Sequence, residues 1–537
     1  MIKTRAISSL ALAISLGWAL PAHAQSAADF SKMKAQMEAM QAQLDAMKSK
    51  VDTLEGQLSQ AQAVAQSATA AAQSATASGT KATEIATKAA DAAPKVAWKG
   101  APEFTGKDGW SFKPRGRLHY DTGTIGTPGQ LELPNLGFNS RVRRVRLGAE
   151  GAMPGGFGYK VEVDFANAGV SFGEVLLSYS PANAPLQVRI GNFDTMNGFE
   201  QTTSSNYTSF IERAAFNDAF LNSRRLGASV AFLTDNDDLR AEVGLFAAHS
   251  IDGSFDNNGL IAGARVVYAP KALGGQLHFG ANYQHRDFAS NVSGGTSVGV
   301  NMSSINQLGR YRARPNSQLT DIRFVDTGSF AARSDRIIGI ETAAIFKSLY
   351  FTGEAQWLKS DAYAPNAIAL GSDSFSGGNV AVVPTSNPGF FGAYGEVGYF
   401  LTGETRGYKR GDGTWARTKV LNPFAKGGAG AFQLAGRFEY LDLADDALLN
   451  GPTNNFTTGV TSLAAANSRL GRGGTQTSYL LGLNWYPMDY VRFMVNYGRV
   501  EVEGGPFAAL ASPLSTRPVN QRDFGVNLFQ TRLQIDF

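Results

Sequence analysis

The stretch FQTRLQIDF, residues 529–537, ends the chain and decides its class. Phe529, Thr531, Leu533, Ile535 and Phe537 fall on one face of an extended strand, and Gln530, Arg532, Gln534 and Asp536 fall on the other. One face suits lipid and the other water. Nine residues at about 3.3 Å each, tilted by about 40°, rise about 23 Å, close to the apolar thickness of an outer-membrane barrel. A soluble sandwich can show the same alternation in a single strand, so the case rests on repetition.

The pattern repeats in sixteen segments, an even number that suits a single-chain bacterial barrel. The first eight lie near 113–123, 139–151, 157–167, 170–180, 185–193, 224–233, 239–248 and 259–269. The second eight lie near 275–287, 335–346, 349–360, 390–402, 430–443, 476–487, 489–502 and 522–537. Tyr159, Val161, Val163 and Phe165 form one apolar face, Leu277, Phe279, Ala281 and Tyr283 another, and Tyr479, Leu481, Leu483 and Trp485 a third. Every second connection is tight, as at Pro154-Gly155-Gly156 and Lys347-Ser348, and the intervening ones, 194–223 and 288–334 among them, are long. Barrels have this asymmetry of periplasmic turns and external loops. Two connections break it: the short Ala168-Gly169 link and the long segment 403–429, placed by its order among the periplasmic connections with Arg406 and Arg410. The expected fold is an all-β transmembrane barrel of about 16 antiparallel strands over residues 94–537.

The chain opens with Lys3 and Arg5, an apolar run from Ala6 to Leu20 and Ala22-His23-Ala24, the pattern of a secretory signal over residues 1–24. No later run approaches the roughly 20 apolar residues of a spanning helix. The absence of cysteine excludes disulfides and thiolate sites. Apolar residues then recur at 3,4 spacing through Phe30, Met33, Met37, Met40, Leu44, Met47, Val51, Leu54 and Leu58, which predicts a coiled coil within residues 25–93. A single amphipathic helix lying on a surface is the alternative, although such helices prefer a broader apolar stripe. With both chain ends on the turn side, this segment is expected in the periplasm.

Residues 101–537 carry thirty arginines and nine lysines, whereas residues 1–100 carry nine lysines and one arginine. A narrow wet interior favours the planar guanidinium. The strand parity points Arg115, Arg117, Arg144, Arg146, Arg189, Arg225, Arg240, Arg437 and Arg532 into the lumen, together with Lys160, Arg265 and Arg286. At the lipid midplane each arginine would cost about 2–4 kcal/mol. Inward acids such as Glu162, Asp164, Glu242 and Glu439 can pair with most of them, since this part of the chain holds 39 basic and 38 acidic residues. Selectivity is then expected in loops that enter the bore. Segment 194–223 is too apolar for a solvated loop and brings Arg213 to a constriction. Arg310, Arg312 and Arg314 alternate, which sets three guanidinium groups on one side of an extended segment, either as a series of anion sites or as an exposed basic loop top.

Read together, RVRRVRLGAEG from Arg141, TSSNYTSFIER from Thr203, YRARP from Tyr311, RFVDTG from Arg323, VLNPF from Val420, RFEYLDL from Arg437 and GLNWYP from Gly482 resemble the phosphate-selective porin O/P family of Gram-negative outer membranes. The resemblance covers roughly Gly116 to Phe537. It implies a homotrimeric sixteen-stranded barrel in outer-membrane lipid, with an arginine ladder onto which Arg213, Arg310, Arg312 and Arg314 map. It also implies a terminal Phe537 read by the barrel-insertion machinery. Gln201 departs from the lysine of phosphate-selective members, and Asp194 adds a negative charge, so the attraction for a multivalent anion is reduced.

The function expected is passive diffusion of small anions, with phosphate and polyphosphate as candidate solutes and no cofactor. The competing class is a barrel-anchored structural protein whose coiled coil tethers the cell wall or a periplasmic partner. Enzymatic activity is not expected: His119, His249, His278 and His285 lack metal-ligand spacing. A plugged active transporter would need a globular N-terminal domain. The near-balanced charge gives no reason to expect nucleic acid.

Overall fold

The computed structural model describes residues 27–88, 95–129, 133, 135–166, 169–220, 223–251, 259–288, 308–362, 381–382, 384–449, 453–455, 459–461 and 471–537. The signal sequence expected over residues 1–24, the linker after Lys88 and the first part of the 288–334 loop lie outside them. The chain divides into two compact units, Met1–Ala93 and Pro94–Phe537. In the first, α1 spans Ala27–Lys88. Met33, Met37, Met40, Leu44, Met47, Val51 and Leu54 lie exposed along it.

The second unit is a closed barrel of sixteen antiparallel strands. They are β1 Ser111–Ile125, β2 Gly137–Met153, β3 Phe157–Asp164, β4 Ser171–Tyr179, β5 Leu186–Asp194, β6 Arg224–Leu233, β7 Leu239–Ala247 and β8 Leu260–Tyr268. The second half comprises β9 Gly275–Asp287, β10 Phe330–Phe346, β11 Leu349–Ala362, β12 Gly389–Phe400, β13 Ala431–Asp442, β14 Thr475–Met488, β15 Val491–Glu503 and β16 Asp523–Asp536. Each pairs with the next, and β16 returns to β1 with Arg532 opposite Asp121. The sixteen segments expected from the alternation are these strands, with ends differing by a few residues. In β16, Phe529, Ile535 and Phe537 face outward, while Gln530, Arg532, Gln534 and Asp536 are buried inside.

The seam closes through the last residue. Phe537 and Gly116 exchange backbone hydrogen bonds of 3.0 and 3.1 Å. A Cβ on Gly116 would stand 2.0 Å from the Phe537 ring, so glycine is what lets the terminal ring lie flat across β1.

The wall is uneven in height. Strands β3 to β8 have 8 to 10 residues, whereas β9 to β16 have 12 to 17. At a tilt of about 40°, eight or nine residues rise only about 20–23 Å. The tall side fits a bilayer unaided.

Among the described residues, two segments fold into the lumen besides the 308–329 stretch, whose Tyr311, Ala313, Phe324 and Val325 are buried. One is the 195–223 connection, whose Phe199, Phe210, Phe216 and Phe220 are fully buried. The other is 403–429, whose Arg406, Trp415 and Val420 are buried. Its position by connection order made it a periplasmic surface turn. Instead, its aromatic and aliphatic residues find a core inside the barrel, where Trp415 meets Phe199 at 4.9 Å and Tyr350 at 5.6 Å.

Replacing Gly116 by leucine should displace Phe537 and open the seam. The expected result is a lower temperature for loss of heat-modifiable migration; an unchanged midpoint would show that the ring contact is dispensable.

Candidate functional site

The inward segment 195–223 is anchored at both ends by carboxylates. Glu354 on β11 accepts hydrogen bonds from the backbone N–H groups of Phe199 and Glu200, at 2.5 and 2.9 Å. These are donors that the first turn of helix α2, Phe199–Thr202, leaves unsatisfied. Glu200 in turn accepts from Ala214 N at 2.8 Å and from the Arg437 guanidinium at 2.5 Å. Arg437 also holds Glu396 at 2.6 Å and Glu439 at 3.3 Å, all four groups being buried. Helix α3, Ala215–Ala219, seats Phe216 against Gly392 on β12, where a Cβ would come within 2.4 Å.

The opposite bank is basic. Arg532 donates to both oxygens of Asp121 at 2.6 and 2.7 Å, to the Ile211 carbonyl at 2.8 Å and to Glu212 at 3.2 Å. Arg117 reaches Ser205 at 2.8 Å and Ser204 at 3.3 Å. Arg492 donates to Thr208 O at 2.7 Å and Gln534 at 2.8 Å. His119 Nε2 lies 3.1 Å from Asn206 Oδ1, and Arg144 lies 3.4 Å from His119 Nδ1. The segment therefore bridges an acidic wall on β11–β13 and a basic wall on β1, β2, β15 and β16.

Most of the nine arginines expected in the lumen have partners. Arg115 binds Glu150, and Arg146 binds Glu162 and Asp164 at 2.7 Å each. Arg189 and Arg240 share Glu242. Arg225 donates to Ser223 and to the Arg224 carbonyl. Among the described residues Arg144 and Arg225 have no carboxylate within ion-pair distance. Lys160 pairs with Glu174, Arg265 with Glu341 at 2.7 Å, and Arg286 with Asp335 at 2.5 Å.

Arg213 is half-buried, and its guanidinium donates to the carbonyls of Glu200 and Thr203 at 2.8 Å and of Gln201 at 3.5 Å. A cation at the carbonyl end of a helical turn satisfies its free acceptors. Its contacts lie within its own segment.

In the second loop, Tyr311 and Ala313 are buried. The Tyr311 hydroxyl reaches Asp335 at 2.5 Å and Ser360 at 2.9 Å on the barrel wall. Arg310 grips Asp326 with two bonds of 2.9 and 2.6 Å, which hold its pKa above the ordinary guanidinium range. Arg314 binds Asp218 at 2.9 Å and Asp321 at 3.1 Å, and Arg323 shares Asp218 at 3.1 Å. Arg312 makes no ion pair or side-chain hydrogen bond among the described residues.

Two groups of functional candidates escape a reading by sequence. Arg492 and Asn496 were recoverable from the parity of Val491, Phe493, Val495 and Tyr497. Arg406 was not, because connection order assigned it to a surface; its guanidinium stacks over Tyr350 at 5.1 Å and Trp415 at 5.0 Å. Arg410 remains near the turn end, paired with Asp238. No cluster of three or more metal-ligating side chains occurs among the described residues.

A closed sixteen-strand barrel with an apolar outer wall, polar inner wall and inserted loops has the architecture of an outer-membrane channel of the porin type. Residues 112–509 match the family model described as phosphate-selective porin O and P, and the chain belongs to that family. It is similar to an uncharacterized protein of Caulobacter vibrioides, 31% identical over 451 residues, covering 82% of this chain and 77% of the relative. Porin O of Pseudomonas aeruginosa is 27% identical over 362 residues, covering 64% and 73%. Among solved structures, the outer membrane channel DcaP of Acinetobacter baumannii aligns with a TM-score of 0.43 and 12% identity, covering 81% of this chain and 99% of that one.

Removing the Arg437 side chain would leave three buried carboxylates without their cation, a loss of about 3–5 kcal/mol. Arg437→Leu should release the inserted segment, read as noisy single-channel conductance and proteolysis near Glu200. Quiet, wild-type traces would mean that the wall holds the segment without this network.

Proposed function

We propose that the chain forms a passive, anion-preferring pore for small anionic solutes, with phosphate and polyphosphate as candidates, along a path carried by Arg310, Arg312 and Arg314. Arg312 is the observation that carries this reading. It makes no ion pair among the described residues although Asp326 lies opposite it, because Asp326 is held by Arg310; beside it Arg314 and Arg323 are bound to Asp218 and Asp321. Four guanidinium groups thus face three carboxylates, leaving a local positive surplus. An anion that sheds water there meets several fixed donors. Arg213, spent on backbone carbonyls, serves the path by shaping its segment. Gln201 supplies no charge, which favours weak selectivity over tight phosphate binding.

Arg312→Ala should move the reversal potential in a salt gradient toward non-selectivity and weaken any block of chloride current by phosphate. The control is Lys271→Ala with Lys347→Ala at the turn end, expected to change little. Equal shifts from both would mean that diffuse charge sets the selectivity, and an unchanged potential in the Arg312 variant would place the filter elsewhere.

A homotrimer fits the uneven wall, since neighbouring protomers would pack along the shorter β3–β8 side. Helix α1 supports the same assembly from the periplasm: its exposed Met33, Met37, Met40, Leu44 and Met47 form a seam for a parallel coiled coil, which would extend a cell-wall or partner tether. Deleting residues 26–92 should lower the heat and detergent resistance of the oligomer with single-pore conductance nearly unchanged. An unaltered melting temperature would remove the helix from assembly.

A further inference from the structure

Lysine and arginine on the outer face of a membrane barrel need a reason, because the apolar band excludes them and only the rims tolerate them. Two stand side by side on the tall wall. Arg336 on β10 is the register partner of Lys359 on β11, and both point outward. Each lies ten residues from the turn end of its strand, counting from Phe346 and from Leu349. At about 3.3 Å per residue and about 40° tilt, that is about 25 Å up, the height of the upper interface. Long loops mark this as the external side.

Neither cation makes an ion pair among the described residues, in a barrel where most guanidinium groups do. The acidic groups nearby are otherwise engaged: Asp287 with His285 at 3.1 Å, Asp361 with Asn387 at 3.1 Å, and Asp442 with Ala444 N at 2.9 Å. Lys359 lies across Gly389, where a Cβ would meet its Cδ at 3.4 Å. At the same height, the β15–β16 rim carries Glu501, Glu503 and Asp523 beside Arg499 and Arg517.

Directly beneath the pair runs an apolar row in register across four strands, Tyr283, Ile338, Trp357 and Phe391. The rings of Trp357 and Phe391 are 5.2 Å apart. The two cations and the rings, with Asp442 at its edge held by the Ala444 N–H, line a groove of about 600 Å³ open to the membrane. A free anion would satisfy the cations alone, and an apolar helix or chain the rings alone. A ligand with an anionic head and hydrocarbon tails satisfies both, with its head at the level of the cations.

We propose that the outer face of β10–β11 is a binding site for a phosphorylated glycolipid of the external leaflet, its phosphate held between Arg336 and Lys359 and an acyl chain laid along Ile338 and Trp357. The site depends on the barrel's place in the outer membrane and is independent of which ions the bore selects.

The test is native mass spectrometry of the purified full chain with bis-phosphorylated lipid A, with phosphatidylglycerol and phosphatidylethanolamine in parallel. The wild type should retain one tightly held lipid A. Arg336→Gln with Lys359→Gln should reduce retention at least tenfold, while Lys271→Gln with Lys347→Gln at the opposite rim leaves it unchanged. Heat-modifiable migration establishes that each variant is folded, and Trp357→Ala tests the tail contact with both charges present. Undiminished retention in the double glutamine variant would overturn the site. Equal retention of phosphatidylglycerol would overturn the glycolipid, and efficient cross-linking of Trp357→Cys between copies in native membranes would make this wall a protein interface instead.

Discussion

Lipid on one side of a single-layered wall fixes the direction of polar side chains within the apolar band, leaving only the rims free, and the rest of the molecule follows from that constraint. A strand whose alternate residues must all be apolar has only its inner face for arginine, glutamate and histidine. Sixteen such strands therefore concentrate the charged groups of the wall in a narrow space. Crowded guanidinium and carboxylate groups pair, because an unpaired buried charge is costly and a hydrogen-bonded pair offsets much of its desolvation. Arg532 with Asp121, Arg437 with Glu396 and Arg265 with Glu341 are instances on three parts of the wall.

The pairs also hold the inserted segments. Backbone that leaves the wall carries free N–H and C=O groups into the lumen, and each needs a partner. Glu354 takes two N–H groups of the 195–223 segment, while Arg532 and Arg492 supply donors to its carbonyls. The 403–429 segment enters from the other end and shares the Phe199–Trp415–Tyr350 cluster with it. An arginine on the inner wall is thus a tether for a loop as well as a partner for a wall carboxylate.

The alternation that fixes the wall was legible because period-two patterning is local and repeated sixteen times. Phe529 to Phe537 already contained the outward and inward faces of the closing strand. The inward course of 194–223 was legible from Phe210, Phe216 and Phe220, too apolar for solvent. The 403–429 segment was not, since Trp415 and Val420 are spaced among glycine and charged residues and their partners lie far away in the chain. The alternation of Arg310, Arg312 and Arg314 was readable, but their inequality was not. It depends on Asp218, about a hundred residues earlier, which no local pattern assigns to Arg314 and Arg323.

That inequality bears on how a nearly neutral barrel can discriminate by charge. With 39 basic and 38 acidic residues after position 100, net charge gives no sign to the pore. A closed pair such as Arg310 with Asp326 presents a dipole whose field falls quickly with distance and is screened within about 10 Å at moderate salt. A guanidinium without a counter-charge presents a full charge, and in a narrow bore with low-dielectric walls its field is focused along the path. On the proposed reading, selectivity would follow from where a pair is left incomplete, so that one unpaired arginine would outweigh many that are bound to the wall.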